Sequence, residues 1–104
     1  MNILFDQGTP APLRKILAPH SVSTAFERGW AEVENGDLPA AAEKEFDAFI
    51  PTDKNLRYQQ NLAERRLAIL VLPTKSWPEI QKHLGPVRDA VNALKPGDFV
   101  EIMF

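Results

Sequence analysis

The chain has 104 residues, of which 44% are hydrophobic and 25% are charged, and its formal net charge is −2. This length suits one domain with one core, and no segment is long and apolar enough for a membrane span or a secretory signal, so we expect a single cytoplasmic domain without membrane contact. The absence of cysteine excludes disulfides and thiolate metal sites, and the net charge excludes a whole-molecule attraction to nucleic acid.

The beginning of the chain predicts a strand, a loop and a helix. Residues 2–5 form an apolar run that ends at Asp6. In the loop that follows, Thr9 is a candidate helix cap and Pro10 suits the first helical position, so a helix is predicted over residues 10–17. The buried stripe of this helix has apolar side chains at helical spacing: Leu13, Ile16 and Leu17.

The middle of the chain predicts three further strands separated by helices. A segment rich in β-branched residues, 20–26, indicates the second strand, and residues 37–46 are typical of a helix with an acid and a proline near its start. Residues 47–50 predict the third strand, and a helix is expected over residues 54–66. The continuous apolar run at residues 66–72 is typical of a parallel strand covered on both faces.

The end of the chain predicts one more helix and an edge strand. Ser76 and Glu79 have the spacing of a capping box, and the helix predicted behind them, residues 77–94, has an apolar stripe. Pro86 is predicted to kink or split this helix. Residues 99–104 predict a last strand with an apolar edge, which needs cover from that helix, a partner chain or a second copy of the chain.

This alternation predicts an α/β fold: a single three-layer domain over residues 1–104, with a five-stranded, mainly parallel sheet and helices on both faces. If the strand order is 2-1-3-4-5, ligands bind where the order reverses, between the strands that Asp6 and Asp53 follow. Two neighbouring carboxylates repel unless a cation lies between them, and Mg²⁺ or Mn²⁺ suits oxygen ligands. Relief of that repulsion predicts that Asp6→Asn leaves metal-free stability unchanged or raises it.

Simpler interpretations exist for two of the acids. Asp53 can cap the helix that follows the third strand, and Asp37 can be a first-turn acid rather than a third metal ligand. Asp6 is not adjacent to a helix start, so helix capping does not account for it.

The segments ILFDQGTPAPLRKIL (3–17) and DAFIPTDKNL (47–56), with a GD pair at a helix start between them, resemble the PIN-like superfamily, which includes toxin ribonucleases of bacterial toxin–antitoxin pairs. The resemblance extends over most of the chain. It implies a PIN-like fold, metal-dependent ribonuclease activity with Mg²⁺ or Mn²⁺, and an antitoxin-type protein partner. The site residues that it implies are the catalytic, metal-binding acids Asp6, Asp37 and Asp53, the metal ligand Asn55, and the basic residue Arg14.

The chain departs from the family pattern at two positions of the implied metal site. Asn55 and Gln7 are neutral where many members carry acids, so the metal cradle has less negative charge. Next to that site, Lys54, Arg57 and Tyr58 predict RNA contact, with cations on phosphates and a ring stacked on a base. The alternative is a solvated helix face.

Two other functions compete with a ribonuclease. One is a PIN-like fold that has lost hydrolysis and binds protein or RNA, which Asn55 favours. The other is a receiver-type phosphoacceptor, which also has acids after strands one and three and for which Thr74 matches a hydroxyl position. Against this second function, receiver domains usually carry two adjacent acids after strand one, whereas this chain has Asp6 followed by Gln7.

Overall fold

A five-stranded parallel sheet organises the computed structural model, which describes residues 1–30, 41–52 and 66–104. The strands are β1 (Asn2–Phe5), β2 (Ser21–Thr24), β3 (Ala48–Ile50), β4 (Ala68–Val71) and β5 (Phe99–Glu101). Their order across the sheet is β2-β1-β3-β4-β5, and every neighbouring pair is parallel. The α/β fold and the predicted strand order are therefore confirmed.

Three helices lie wholly within the described residues: a 3-10 helix (Ala11–Leu17), α1 (Trp77–Gln81) and α2 (Leu84–Asn92). The first helix has the predicted buried side chains, since Leu13 and Leu17 are buried and Ile16 packs beside them. Its predicted start is wrong by one residue. Pro10 is the N-cap in an extended conformation, and no side chain caps the helix.

The helix predicted over residues 77–94 is split into α1 and α2, as expected from Pro86, and the split lies before the proline. It falls at His83, whose backbone is not helical (φ −131°, ψ 32°). Pro86 lies in the first turn of α2, where a missing N–H has no intrahelical partner to lose. The predicted capping box is also wrong, because Ser76 is the N-cap residue but its side chain makes no capping hydrogen bond.

Both faces of the sheet carry an apolar layer, because side chains alternate along each strand. One layer packs β1, β3 and β4 against all three helices; its largest buried members are Ile3, Phe5, Leu13, Leu17, Ile50, Leu70, Leu72 and Ile80. The other layer contains Leu4, Ala25, Ala42, Phe49, Leu67, Ile69 and Val71. Strands β3 and β4 are buried along their whole length, and for β4 this confirms the prediction from the continuous apolar run at residues 66–72.

The last strand is shorter than predicted, and its apolar residues are only partly covered. Val100 and Ile102 pack against the layer that contains the helices. The Phe104 ring stacks on the ring of His83 with centroids 4.3 Å apart, whereas Met103 is 79% exposed. Cover by a partner chain or a second copy stays a prediction. Within the described residues, no helix is long and apolar enough to cross a membrane.

The turn before β5 depends on a glycine. Gly97 has φ 84°, and its N–H donates to the carbonyl of Arg66 at 2.8 Å, which connects this turn to the approach to β4. A Cβ is strained in this left-handed conformation, so Gly97→Ala should lower the free energy of unfolding by about 1–2 kcal/mol. Gly97→Asn should cost less, because asparagine tolerates the conformation better. Denaturant unfolding compares the two variants, and equal losses would contradict the backbone explanation.

Candidate functional site

The candidate site lies at the carboxyl edge of the sheet, between β1 and β3. Phe5 at the end of β1 pairs with Ile50 at the end of β3. The strand order reverses at this pair, because β2 lies on one side of β1 while β3 to β5 extend on the other. Such a reversal leaves a crevice beyond the carboxyl ends of the strands, where open α/β sheets bind ligands. Asp6 directly follows β1 and therefore borders this crevice.

The Asp6 side chain is almost completely buried, with 2% of its surface exposed. Its Oδ1 atom accepts hydrogen bonds from the backbone N–H of Thr9 at 2.8 Å and from the Thr9 hydroxyl at 2.6 Å. Its Oδ2 atom accepts the N–H of Thr52 at 3.2 Å. Asp6 therefore joins its own loop to the segment that follows β3.

We call residues Asp6, Gln7, Gly8 and Thr9 the Asp6 loop. The Thr9 hydroxyl also lies 2.7 Å from the carbonyl oxygen of Ile50, at the end of β3. A hydroxyl has one proton, so it donates to Asp6 or to Ile50, but not to both at once. These contacts explain why Thr9 does not cap the following helix, and they give Asp6 a structural role that the sequence analysis missed. The sequence does contain an indication of this role. Asp6 and Thr9 are three residues apart, a spacing at which an aspartate side chain can accept a hydrogen bond that closes a turn.

Gly8 allows the Asp6 loop to approach the segment after β3. A Cβ at this position would lie 2.6 Å from the Thr52 Oγ1 atom and 3.6 Å from Asp6 Oδ1. Because threonine is branched at Cβ, its hydroxyl cannot move far without a change of rotamer. A side chain at Gly8 would therefore push the two segments apart and strain the hydrogen bond between Thr52 and Asp6.

A cavity of about 520 Å³ opens beside the Asp6 loop. Its lining combines the loop with the ends of other elements: Asp6, Gln7, Gly8, Thr9, Pro10, Ala11, Thr24, Phe26, Lys75 and Trp77. Thr24 and Phe26 come from the end of β2 and the turn after it, and Lys75 comes from the loop between β4 and α1. The cavity therefore extends along the carboxyl edge of the sheet from the end of β2 to the loop after β4, and Asp6 lies in its wall.

Arg14, which the resemblance implies as a basic site residue, is paired with Glu27. Its two terminal nitrogens donate to the two carboxylate oxygens of Glu27 at 2.7 and 3.2 Å. These hydrogen bonds, with a further one from the N–H of Thr24, lower the pKa of the Glu27 carboxyl below its ordinary value. Because the pKa is lowered, the pair is intact at neutral pH and is lost only as the pH falls through that value. At neutral pH, the charge of Arg14 is therefore neutralised by an anion of the same chain.

The remaining residues of the predicted site lie outside the described part of the chain: Asp37, Asp53, Lys54, Asn55, Arg57 and Tyr58. Asp53 is the next residue in the sequence after Thr52, whose N–H donates to Asp6. Among the residues that the structure describes, no group of three or more His, Asp or Glu side chains is placed to hold a metal ion. The proximity of Asp6 to the other two acids therefore stays a prediction.

Comparison of the chain with protein-family models, with curated proteins and with solved structures finds no match in any of the three. The fold is therefore assigned from the strand order and pairing alone, and the resemblance to PIN-like proteins rests on the sequence segments that carry it.

The packing of Gly8 can be tested by a double-mutant cycle. Gly8→Ala should lower the free energy of unfolding by about 1–3 kcal/mol, because the new methyl group overlaps the Thr52 hydroxyl. Thr52→Ala removes that hydroxyl, so the double variant should lose less than the sum of the two single losses. Thermal or denaturant unfolding of the four proteins gives the coupling energy. Strict additivity would show that the two side-chain positions do not meet.

The hydrogen bonds of Asp6 reverse the expected effect of Asp6→Asn on stability. The carboxylate faces donors at both oxygens, so an amide NH₂ group in its place must face at least one donor. We expect Asp6→Asn to lower the free energy of unfolding by about 1–3 kcal/mol in a chelating buffer. Asp89→Asn, at a side chain that is 77% exposed, is the matched control and should change stability little. A rise in stability for Asp6→Asn would instead show that charge repulsion dominates.

Proposed function

We propose that the chain is a PIN-like ribonuclease that cuts RNA with Mg²⁺ or Mn²⁺ at the carboxyl edge of its sheet. The observation that carries the proposal is the buried carboxylate of Asp6, which lies beside the end of β3 at the point where the strand order reverses. This is where an open parallel sheet places its ligand. It is also where the sequence resemblance implies a metal-binding acid.

The carboxylate oxygens of Asp6 are suitable ligands for a divalent cation. Carboxylate oxygens are the ligands that Mg²⁺ and Mn²⁺ prefer. The hydrogen bonds from Thr9 and Thr52 hold the Asp6 carboxylate in one orientation, as outer-shell partners do for metal ligands. In the proposal, the ion is held by Asp6 together with three side chains outside the described residues: Asp37, Asp53 and Asn55.

The chain's own residues have distinct roles in this proposal. A bound divalent ion supplies an activated water and stabilises the charge that develops on the phosphate. Asp6 holds the ion, while Thr9 and Thr52 fix the carboxylate that does so. Lys75 lines the same cavity, where its ammonium group can offset phosphate charge. The toxin role, with an antitoxin-type partner, rests on the resemblance alone.

A second candidate is a PIN-like module that binds RNA or protein without cutting it. One observation favours this candidate: Asp6 already has a structural role in its loop, which accounts for its burial without any metal. The neutral residues Gln7 and Asn55 point the same way, because they reduce the negative charge of the metal site. The receiver-type alternative has no comparable support. Its hydroxyl residue, Thr74, accepts the N–H of Ser76 at 3.0 Å in the loop before α1.

A cleavage assay separates the two candidates. Purified protein should cut mixed RNA in Mn²⁺ or Mg²⁺, and a chelator should stop the reaction, because the ion supplies the activated water. Asp6→Asn should lose cleavage at a temperature where it is shown to be folded, while Asp89→Asn should retain it. Asn55→Asp should tighten Mn²⁺ binding by restoring a negative charge to the site.

The non-catalytic candidate predicts a different pattern in the same assay. Wild type would then cut no RNA with any divalent ion, and Asn55→Asp would gain neither Mn²⁺ affinity nor activity. That combination would refute the ribonuclease proposal.

A further inference from the structure

Phe26 is an exposed aromatic side chain in the cavity beside the Asp6 loop. It follows β2 and is 78% exposed, although phenylalanine is typically buried. The described residues contain four exposed large apolar side chains: Met1, Phe26, Met103 and Phe104. Of these four, Phe26 is the one that lines the cavity with Asp6. Its ring is therefore available to a ligand inside the cavity and adds nothing to either apolar layer.

Lys75 places a cation on the other side of Asp6. It is exposed, it lines the same cavity, and its Cβ lies 3.9 Å from the position of a Cβ at Gly8. The described residues include no ion pair of Lys75, in contrast to Arg14, which is neutralised by Glu27. Because β2 and β4 lie on opposite sides of the β1–β3 pair, Phe26 and Lys75 flank the Asp6 loop.

We propose that Phe26 and Lys75 form a subsite for one nucleotide of a single-stranded RNA, with the base stacked on Phe26 and a phosphate contacted by Lys75. The inference rests on the proposed function, because it names the nucleic-acid contact of the same site. A cavity of about 520 Å³ has the size of a small-ligand pocket. Phe26 offers the flat apolar face on which unpaired bases stack.

The charge of the cavity lining favours a single strand over a duplex. Lys75 is the one cation among the described residues that line the cavity, whereas binding a duplex by phosphate contacts requires several cations. Stacking needs no excess charge, but it requires an unpaired base whose face is accessible. One aromatic ring with one lysine therefore suits an unpaired nucleotide better than a double helix.

Trp77 provides a direct probe, because it lines the same cavity. The chain has two tryptophans, and the other, Trp30, packs on Phe46 away from the cavity lining. A Trp30→Phe background therefore leaves Trp77 as the source of tryptophan fluorescence. A short oligoadenylate RNA, titrated in a chelating buffer that prevents metal-dependent cleavage, should change this fluorescence and saturate.

Substitutions in that background test the two contacts. Phe26→Ala should weaken binding about 5- to 150-fold, whereas Phe26→Tyr should preserve it. Met103→Ala is the matched control, because Met103 is equally exposed (79%) but does not line the cavity, and it should leave affinity unchanged. Lys75→Gln should weaken binding and reduce the salt dependence by about 0.7 in log–log slope, as expected for one single-strand phosphate contact.

Several results would overturn the subsite. They are an absence of binding, equal effects of Phe26→Ala and Met103→Ala, and equal affinity for a fully paired RNA hairpin.

A loss of self-association in Phe26→Ala by light scattering, without RNA binding by wild type, would show a protein contact surface instead. Because binding is measured without metal, Phe26-dependent binding with no cleavage in Mn²⁺ would support the subsite and refute the ribonuclease. Cleavage that is insensitive to Phe26→Ala and Lys75→Gln would support the ribonuclease and refute the subsite.

Discussion

The hydrogen bonds of the Asp6 carboxylate are the constraint on which the carboxyl edge depends. One buried side chain binds the N–H and hydroxyl of Thr9 and the N–H of Thr52. Through the Thr9 hydroxyl, the same loop also contacts the carbonyl of Ile50. The ends of β1 and β3 are thereby held together, and Gly8 is held where only a hydrogen fits beside Thr52. The loop held in this way forms one wall of the cavity.

A buried carboxylate is costly unless its oxygens are hydrogen-bonded, and Asp6 meets that condition within the chain itself. This gives the residue two compatible roles, since hydrogen bonds that stabilise a loop can also orient a metal ligand. A variant of Asp6 changes the loop as well as any bound ion, so lost activity in that variant alone does not separate the two roles.

The sequence predicted the sheet well because its signals are local. Apolar runs and turn residues gave five parallel strands, and β4 shows the full burial expected of a continuous apolar run. It predicted less where the outcome depends on contacts between distant segments. The bidentate pair of Arg14 with Glu27 crosses thirteen residues and has no sequence signature. The split predicted at Pro86 is confirmed, but the sequence did not give its position, which is His83, in the turn before the proline.

The central claim, that a divalent ion binds at the carboxyl edge beside Asp6, is tested most directly by Mn²⁺ titration followed by NMR. Paramagnetic broadening reports distance from the ion without relying on activity or on a variant of Asp6. The account predicts that the amide signals of Gly8, Thr9 and Thr52 broaden first, while that of Gly97, at the opposite edge of the sheet, stays sharp. Broadening that begins at Gly97, or that is uniform over the chain, would contradict a metal site at Asp6.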